Sequence, residues 1–205
     1  METKIFCPLK AIHASKPRPR SARSNGSAVS FKKSSLVQTL EASQVPQEQE
    51  LLQIMEEAKE NLVHSLKNRL LSVVHFGSTV TSPVKYACDL DLLVIVESLH
   101  LDDPRGVKEA IRLEQELLPL LERTSLEGRN WYWSLLIMSR QRSESFSKLY
   151  LDMVDFSRVL FDPSRHFERR LGEMRHWMRA CNAKKVGSGK GALWVFDRPF
   201  IEPSQ

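Results

Sequence analysis

The sequence has 205 residues and a net charge of +5, and this charge is concentrated near the N-terminus. Hydrophobic residues make up 41% and charged residues 27%, which excludes a wholly disordered or collagen-like chain. Eight of the 30 basic residues but one of the 25 acidic residues lie in residues 1–40, so the other 165 residues carry a net charge of −2. The charge therefore does not predict a general nucleic-acid-binding face on the folded part, and nucleic acid stays undecided as a partner.

Membrane spans and disulfide frameworks are not expected either. The longest uninterrupted aliphatic run, Leu92–Val96, is far shorter than the ~20 residues that a membrane-spanning helix requires. The sequence has three cysteines, an odd number, and they lie far apart (Cys7, Cys88 and Cys181). This argues against disulfide pairs and cysteine-based zinc sites. These features predict a protein of a reducing compartment, and we expect it in the cytoplasm.

Residues 1–44 are predicted to form a disordered basic tail, followed by a folded domain over residues 45–200. The tail is rich in serine and proline and has few large apolar residues, so it cannot bury enough surface to offset the entropy of ordering. It lacks the apolar core of a secretory signal peptide. Its arginine- and serine-rich composition fits an organellar transit peptide, and it fits a solvated tail or a start site placed too far upstream as well.

The folded domain begins with a helix and a strand, each indicated by the spacing of apolar residues. Apolar side chains recur at helical spacing opposite acidic ones, which predicts an amphipathic helix over residues 47–68. A β-branched run predicts a strand over 71–76, which stops at Gly77 and Ser78. The later predicted elements are a strand over 89–97, a helix over 104–123, a strand over 131–138, a strand over 159–161, a helix over 164–180 and an edge strand over 192–196.

Several details of these elements are predicted separately. Pro119 is expected to kink or shorten the helix over 104–123, because proline removes a backbone hydrogen bond. Ser164 is expected to cap the helix that follows it. Residues 143–154 are ambiguous, and their length favours a helix. Strands that alternate with helices predict an α/β or α+β domain in which helices pack on a sheet.

The most informative segment joins the end of the first strand to the start of the second. Gly77 allows the backbone to approach another group closely, and Ser78 offers a hydroxyl and an amide N–H to an anion. Asp89 and Asp91 are one residue apart on a strand, so they point to the same face and repel each other unless a cation lies between them. Two carboxylates suit Mg²⁺, which completes its coordination with substrate phosphates. This combination predicts metal-assisted phosphoryl or nucleotidyl transfer.

The segments Phe76-Gly77-Ser78 and Asp89-Leu90-Asp91-Leu92-Leu93-Val94 resemble the signature of the polymerase-β-like nucleotidyltransferase superfamily, in particular its minimal nucleotidyltransferases. The resemblance spans about residues 47–198. It implies an α+β domain with a mixed sheet flanked by helices. It also implies one or two Mg²⁺ ions on Asp89 and Asp91, and a nucleoside triphosphate, ATP before the others, with its phosphates on Gly77 and Ser78.

Two departures from the family pattern bear on catalysis. Many relatives follow the Gly-Ser pair with an arginine and a further basic residue or glycine, whereas this chain has Thr79-Val80-Thr81-Ser82. The family's third carboxylate usually lies on the next strand, but residues 131–138 contain no acid. Asp152 and Asp155 are the next candidates, and Asp152 could reach the site if residues 149–154 form a strand, but not if they form a helix.

Two functions from different classes follow from the resemblance. The first is a Mg²⁺-dependent nucleotidyltransferase that transfers a nucleoside monophosphate to an acceptor hydroxyl, with Asp89, Asp91 and Asp152 as catalytic residues. The second is a weakly or non-catalytic binding module of the same fold, like an antitoxin that binds a helical toxin. The Asp89–Asp91 pair favours the enzyme, and the two departures favour the binding module.

Overall fold

The computed structural model describes the backbone of residues 33–99, 104–126, 129–187 and 193–197. Within these ranges, the side chains of residues 33–46, 104, 105, 123, 125 and 126 are not described. Of the predicted tail over residues 1–44, residues 1–32 lie outside the described residues. No helix of the described residues is long and apolar enough to cross a membrane.

The described residues form six helices and six strands. In chain order these are α1 (Lys33–Leu66), β1 (Leu70–Phe76), α2 (Ser78–Thr81), β2 (Ala87–Val96), α3 (Pro104–Leu126), β3 (Asn130–Ser139), α4 (Arg140–Glu144), α5 (Leu149–Met153), β4 (Ser157–Phe161), α6 (His166–Ala180), β5 (Lys184–Val186) and β6 (Leu193–Val195). A single 3₁₀ turn, Lys67–Arg69, connects α1 to β1. All the strands and long helices that the sequence predicts are present.

The main sheet has four strands in the order β3-β2-β1-β4. Strand β1 is antiparallel to both β2 and β4, whereas β2 and β3 run parallel in an unbroken register from Ala87–Asn130 to Val96–Ser139. Strands β5 and β6 form a separate antiparallel hairpin. The mixed sheet flanked by helices is therefore confirmed.

The two faces of the sheet bury two separate hydrophobic clusters. One face packs on α1 and α3, for example through Leu92 and Val94 of β2. The other face packs on α5 and α6 and includes Leu93 and Ile95. Because side chains alternate along a strand, the odd-numbered residues of β2 all face α5 and α6. This alternation decides which face of the sheet carries the two aspartates.

Helices α1 and α3 both extend beyond their predicted bounds. The sequence predicts the start of α1 near residue 47, but the helix begins at Lys33 and runs through Pro46. Pro119 does not shorten α3, which continues to Leu126. Buried contacts of α3 with the sheet, such as that of Leu117, outweigh the one backbone hydrogen bond that proline removes.

Ser164 does not cap α6, contrary to the sequence prediction. The carboxylate of Asp162 accepts hydrogen bonds from the backbone N–H groups of His166 (2.9 Å) and Glu168 (3.0 Å) instead. The residue before the helix is Arg165, whose left-handed backbone (φ 54°, ψ 31°) turns the chain so that Asp162 reaches the free amides. The α6 cap therefore comes from the end of β4.

The ambiguous segment 143–154 is helical in two short pieces, the end of α4 and the whole of α5. The predicted edge strand over 192–196 is present as β6. Its partner β5 is not anticipated from the sequence, because Lys184-Lys185-Val186 is short and has a basic rather than β-branched composition.

Candidate active site

The turn after β1 brings the backbone of Gly77 against the side chain of Asp91. Gly77 has φ 85°, a left-handed conformation that residues with a side chain rarely adopt. A Cβ added there would overlap the Asp91 carboxylate, and its closest atom would be Oδ2. Glycine is thus required twice at this position, once by the backbone angle and once by the close contact.

Asp89 and Asp91 lie on one face of β2, at the end of the strand next to this turn. Asp91 is half-buried and is the register partner of Phe76 on β1, whereas Asp89 is exposed. Burial raises the pKa of Asp91, the negative charge of Asp89 raises it further, and a hydrogen bond from Ser134 opposes both. Among the described residues, no lysine or arginine forms an ion pair with either carboxylate.

Ser134 is a residue of this site that the sequence interpretation did not select. The parallel register places it on β3 directly beside Asp91, and its hydroxyl donates a hydrogen bond to that carboxylate. Ser134 occupies the place on the next strand where an acid would complete a set of three carboxylates. The available signal was that it is the one polar residue in the otherwise aromatic and aliphatic segment 131–138.

Asp152 lies on α5, which is the helical alternative under which the sequence predicts that it does not reach the site. Its Oδ1 accepts hydrogen bonds from Lys185 Nζ (2.6 Å) and Trp194 Nε1 (3.1 Å), both on the β5–β6 hairpin. The Lys185 ammonium also lies 4.8 Å from the ring centroid of Phe156. None of these contacts is with Asp89 or Asp91. The structure therefore places Asp89 and Asp91 together on β2, whereas Asp152 contacts the β5–β6 hairpin.

The chemistry of the donor set fits a divalent cation held by two protein ligands. No group of three or more His, Cys, Asp or Glu side chains in the described part of the chain could hold a metal ion. Asp89 and Asp91 instead provide two carboxylates without a basic partner, one of them with its pKa raised by burial and by its neighbour. Mg²⁺ commonly binds one or two carboxylates and takes its other ligands from water and substrate phosphates.

A cavity of about 290 Å³ lies on the other side of the turn, beneath the segment Thr79–Val84. His75 and Arg158 also line it. His75 is buried, and its Nε2 lies 2.8 Å from Oγ1 of Thr79. Burial, with a smaller contribution from the positive charge of Arg158, lowers the pKa of His75 to about 4, so the imidazole is neutral at pH 7.

No family model and no curated protein sequence matches this chain. Among solved structures, it is similar to a spectinomycin adenyltransferase from Enterococcus faecialis with ATP and spectinomycin. That match has 18% identity and a TM-score of 0.46, and it covers 57% of this chain and 58% of the enzyme. The chain therefore corresponds to a little over half of the length of that enzyme.

The chain is also similar to proteins solved as toxin–antitoxin complexes. One was solved with AMP-PNP and has 14% identity and a TM-score of 0.39, covering 62% of this chain and 92% of that chain. Another is a tri-AMPylated HEPN toxin from Shewanella oneidensis with its MNT antitoxin, with 16% identity, a TM-score of 0.39 and coverage of 63% and 92%. At such identities and TM-scores, these likenesses assign neither an activity nor a partner to this chain.

Proposed function

We propose that this chain is a metal-dependent nucleotidyltransferase, which transfers a nucleoside monophosphate from a nucleoside triphosphate to an acceptor hydroxyl. The observation that carries the proposal is the contact between Gly77 and the Asp91 carboxylate. This contact joins a turn suited to phosphate and a carboxylate pair suited to a divalent cation. ATP is the triphosphate that we expect.

Each residue of the site has a separate role in this proposal. Asp89 and Asp91 hold one or two Mg²⁺ ions, which when bound orient the α-phosphate and offset the charge on the reacting oxygens. Gly77 lets the phosphates approach the backbone, and the exposed Ser78 offers them its hydroxyl.

In the reaction, the acceptor oxygen forms a bond to the α-phosphorus while the α–β phosphoanhydride bond breaks and pyrophosphate leaves. The hydroxyl proton needs an acceptor, and Asp89 is the exposed carboxylate at the site. Asp152 is paired with Lys185 on the hairpin and contacts neither of the two β2 aspartates. A site with two carboxylates is therefore expected to react slowly, because base catalysis is weakly supported.

The second candidate function is a weakly or non-catalytic module that binds a helical protein partner, as an antitoxin does. Ser134 favours this candidate, because it places a hydroxyl where a third carboxylate would assist proton transfer. Both candidates share the fold and the nucleotide site, and they differ in whether nucleotide is consumed.

The first experiment is thermal unfolding with each nucleoside triphosphate, with and without Mg²⁺. A ligand at ~100 times its Kd stabilises the folded state by about 2.7 kcal/mol, which is a readable shift in Tm. We expect stabilisation by ATP with Mg²⁺ that Asp89→Asn/Asp91→Asn abolishes and that the control Glu122→Gln, at an exposed position on α3, retains. A wild-type Tm that no nucleotide changes would overturn the proposal.

Transfer is then measured with α-labelled triphosphate and candidate acceptors. Labelled product that forms in the wild type and not in the Asp89→Asn/Asp91→Asn variant supports the enzyme. Metal-dependent nucleotide binding without any labelled product supports the binding module.

A further inference from the structure

Strand β3 carries an exposed tyrosine directly beside the carboxylate pair. In the parallel register, Tyr132 is the partner of Asp89 and Ser134 is the partner of Asp91. Register partners on adjacent strands point to the same face of a sheet, so Tyr132 lies on the face that carries the two aspartates. Strand β3 is at the edge of the described sheet, so Tyr132 has a neighbouring strand on one side only.

The exposure of Tyr132 differs from that of its two neighbours in the sequence. Trp131 and Trp133 are buried in the cluster on the opposite face of the sheet. Their indole N–H groups donate hydrogen bonds to the backbone oxygens of Lys85 (3.0 Å) and Leu117 (2.8 Å). Tyr132, in contrast, is 56% exposed. Packing therefore explains the two tryptophans, but not the tyrosine between them.

The position of the phosphate turn determines the side from which an acceptor hydroxyl reaches the nucleotide. In an in-line displacement, the attacking and leaving oxygens lie on opposite sides of the phosphorus. The turn at Gly77 and Ser78 follows β1, and β2 with its two aspartates lies between β1 and β3. Pyrophosphate that leaves on the β1 side therefore requires an attacking oxygen on the β3 side.

Of the β3 residues on the face of the aspartates, Tyr132 and Ser134 carry hydroxyl groups. The Ser134 side chain is short, and its hydroxyl donates a hydrogen bond to the Asp91 carboxylate. The Tyr132 side chain is longer, so its hydroxyl can extend farther from the sheet than either carboxylate. A phenol also gives up its proton more readily than an alcohol does, which favours tyrosine at a site without a third carboxylate.

We infer that Tyr132 accepts a nucleoside monophosphate from the nucleotide bound in the same chain. The inference rests on the proposed function and names an acceptor hydroxyl for it. The phenolic oxygen forms a bond to the α-phosphorus of ATP, the α–β phosphoanhydride bond breaks, and pyrophosphate leaves with the electron pair. The phenolic proton goes to Asp89, the exposed carboxylate beside Tyr132, and from there to water. The product is the chain with AMP joined to Tyr132 by a phosphodiester.

The test incubates the full chain with ATP and Mg²⁺, without any other acceptor, and measures the masses of the intact protein and of its peptides. We expect a mass increase of one AMP, located on Tyr132. Tyr132→Phe and Asp89→Asn/Asp91→Asn are each expected to lose this adduct. Tyr86→Phe is the matched control and is expected to retain it, since Tyr86 is equally exposed (58%) and lies just before β2.

A second measurement does not depend on the reaction. Paramagnetic Mn²⁺ replaces Mg²⁺ together with a non-hydrolysable ATP analogue, and NMR follows the ring signals of the three tyrosines. We expect the Tyr132 signal, assigned with Tyr132→Phe, to broaden, because broadening falls steeply with distance from the ion. The signal of the buried Tyr150 is expected to stay sharp, since its hydroxyl contacts Met138 near the other end of β3. Equally sharp signals with Mn²⁺ bound would overturn the inference.

The outcomes separate this inference from the function on which it rests. If ATP with Mg²⁺ stabilises the wild type but no AMP is found on Tyr132, the inference is wrong and the proposed function stands. AMP on Tyr86 or Ser134 instead would also overturn it. In a mixture with Asp89→Asn/Asp91→Asn chains, AMP on the variant chains would contradict transfer within one chain. If the wild type binds no nucleotide, both fall. Equal Tm values of the two phenylalanine variants establish that a loss is not caused by unfolding.

Discussion

The Cα of Gly77 lies so close to the Asp91 carboxylate that a methyl group does not fit between them. The two residues are 14 positions apart in the sequence: Gly77 follows β1, and Asp91 lies on the antiparallel strand β2. Each therefore limits the other, since the turn cannot accept a side chain while the carboxylate keeps its place. A change in the position of the turn is therefore expected to change the position of the Asp91 carboxylate as well.

Gly77→Ala is expected to destabilise the protein and to abolish nucleotide binding. The left-handed backbone at φ 85° costs about 1–3 kcal/mol for a residue other than glycine, and the new Cβ displaces the Asp91 carboxylate. Urea unfolding and calorimetry with ATP and Mg²⁺ measure the two effects. Gly172→Ala on α6 is the control: its Cβ meets nothing within 4 Å, so it is expected to stabilise the helix by about 0.5–1 kcal/mol. Wild-type affinity in the Gly77→Ala variant would refute the role of the close contact.

Ser134→Ala is expected to move metal-dependent nucleotide binding to higher pH. The Ser134 hydroxyl lowers the pKa of Asp91, and without it burial and the Asp89 charge raise that pKa further. Because Mg²⁺ binds the ionised carboxylate, a higher pKa requires a higher pH for the same occupancy. The measurement is the Kd for ATP with Mg²⁺ between pH 5 and 8. Ser134→Thr keeps the hydroxyl and is expected to follow the wild-type profile, so an upward shift in this variant too would contradict the explanation.

Ser134→Asp tests whether the missing third carboxylate limits catalysis. The parallel register places the new carboxylate beside Asp91, where it adds a ligand and a proton acceptor. We expect tighter Mg²⁺ binding and faster transfer than in the wild type, measured by calorimetry and with α-labelled ATP. Unchanged transfer despite tighter metal binding would favour the binding module over the enzyme.

Stability is expected to fall as the pH decreases from about 6.5 to about 4. The pKa of His75 is about 4 in the folded protein and 6.5 when unfolded, so the unfolded state binds the proton first and is favoured as the pH falls. The shift of about 2.5 pH units corresponds to a loss of about 3 kcal/mol. Urea unfolding at several pH values measures this loss. His75→Gln is expected to reduce the slope of the profile without removing it, because burial also lowers the pKa of His166. A slope equal to that of the wild type would disprove the assignment to His75.

The sequence predicts those parts of the site that depend on local pattern. Strand alternation places Asp89 and Asp91 on one face, and the end of the first strand identifies Gly77 and Ser78 as a turn. Tyr132 and Ser134 are different, because their positions beside the two aspartates depend on how β3 aligns with β2. That register is decided by packing of the two hydrophobic clusters, and no local pattern contains it.

The cap of α6 shows the same difference between local pattern and tertiary geometry, and it gives a direct test. Ser164 is the expected cap from its position in the sequence, but Asp162 binds two helix amides and also accepts a hydrogen bond from the hydroxyl of Ser72 (2.9 Å) on β1. Asp162→Ala is therefore expected to destabilise the protein by about 1–2 kcal/mol, and Ser164→Ala by less than about 0.5 kcal/mol. Urea midpoints of the two variants give the comparison. If Ser164→Ala lowered the free energy of unfolding more than Asp162→Ala, Ser164 would be the residue that caps α6. The proposed role of Asp162 in connecting β1 to α6 would then be wrong.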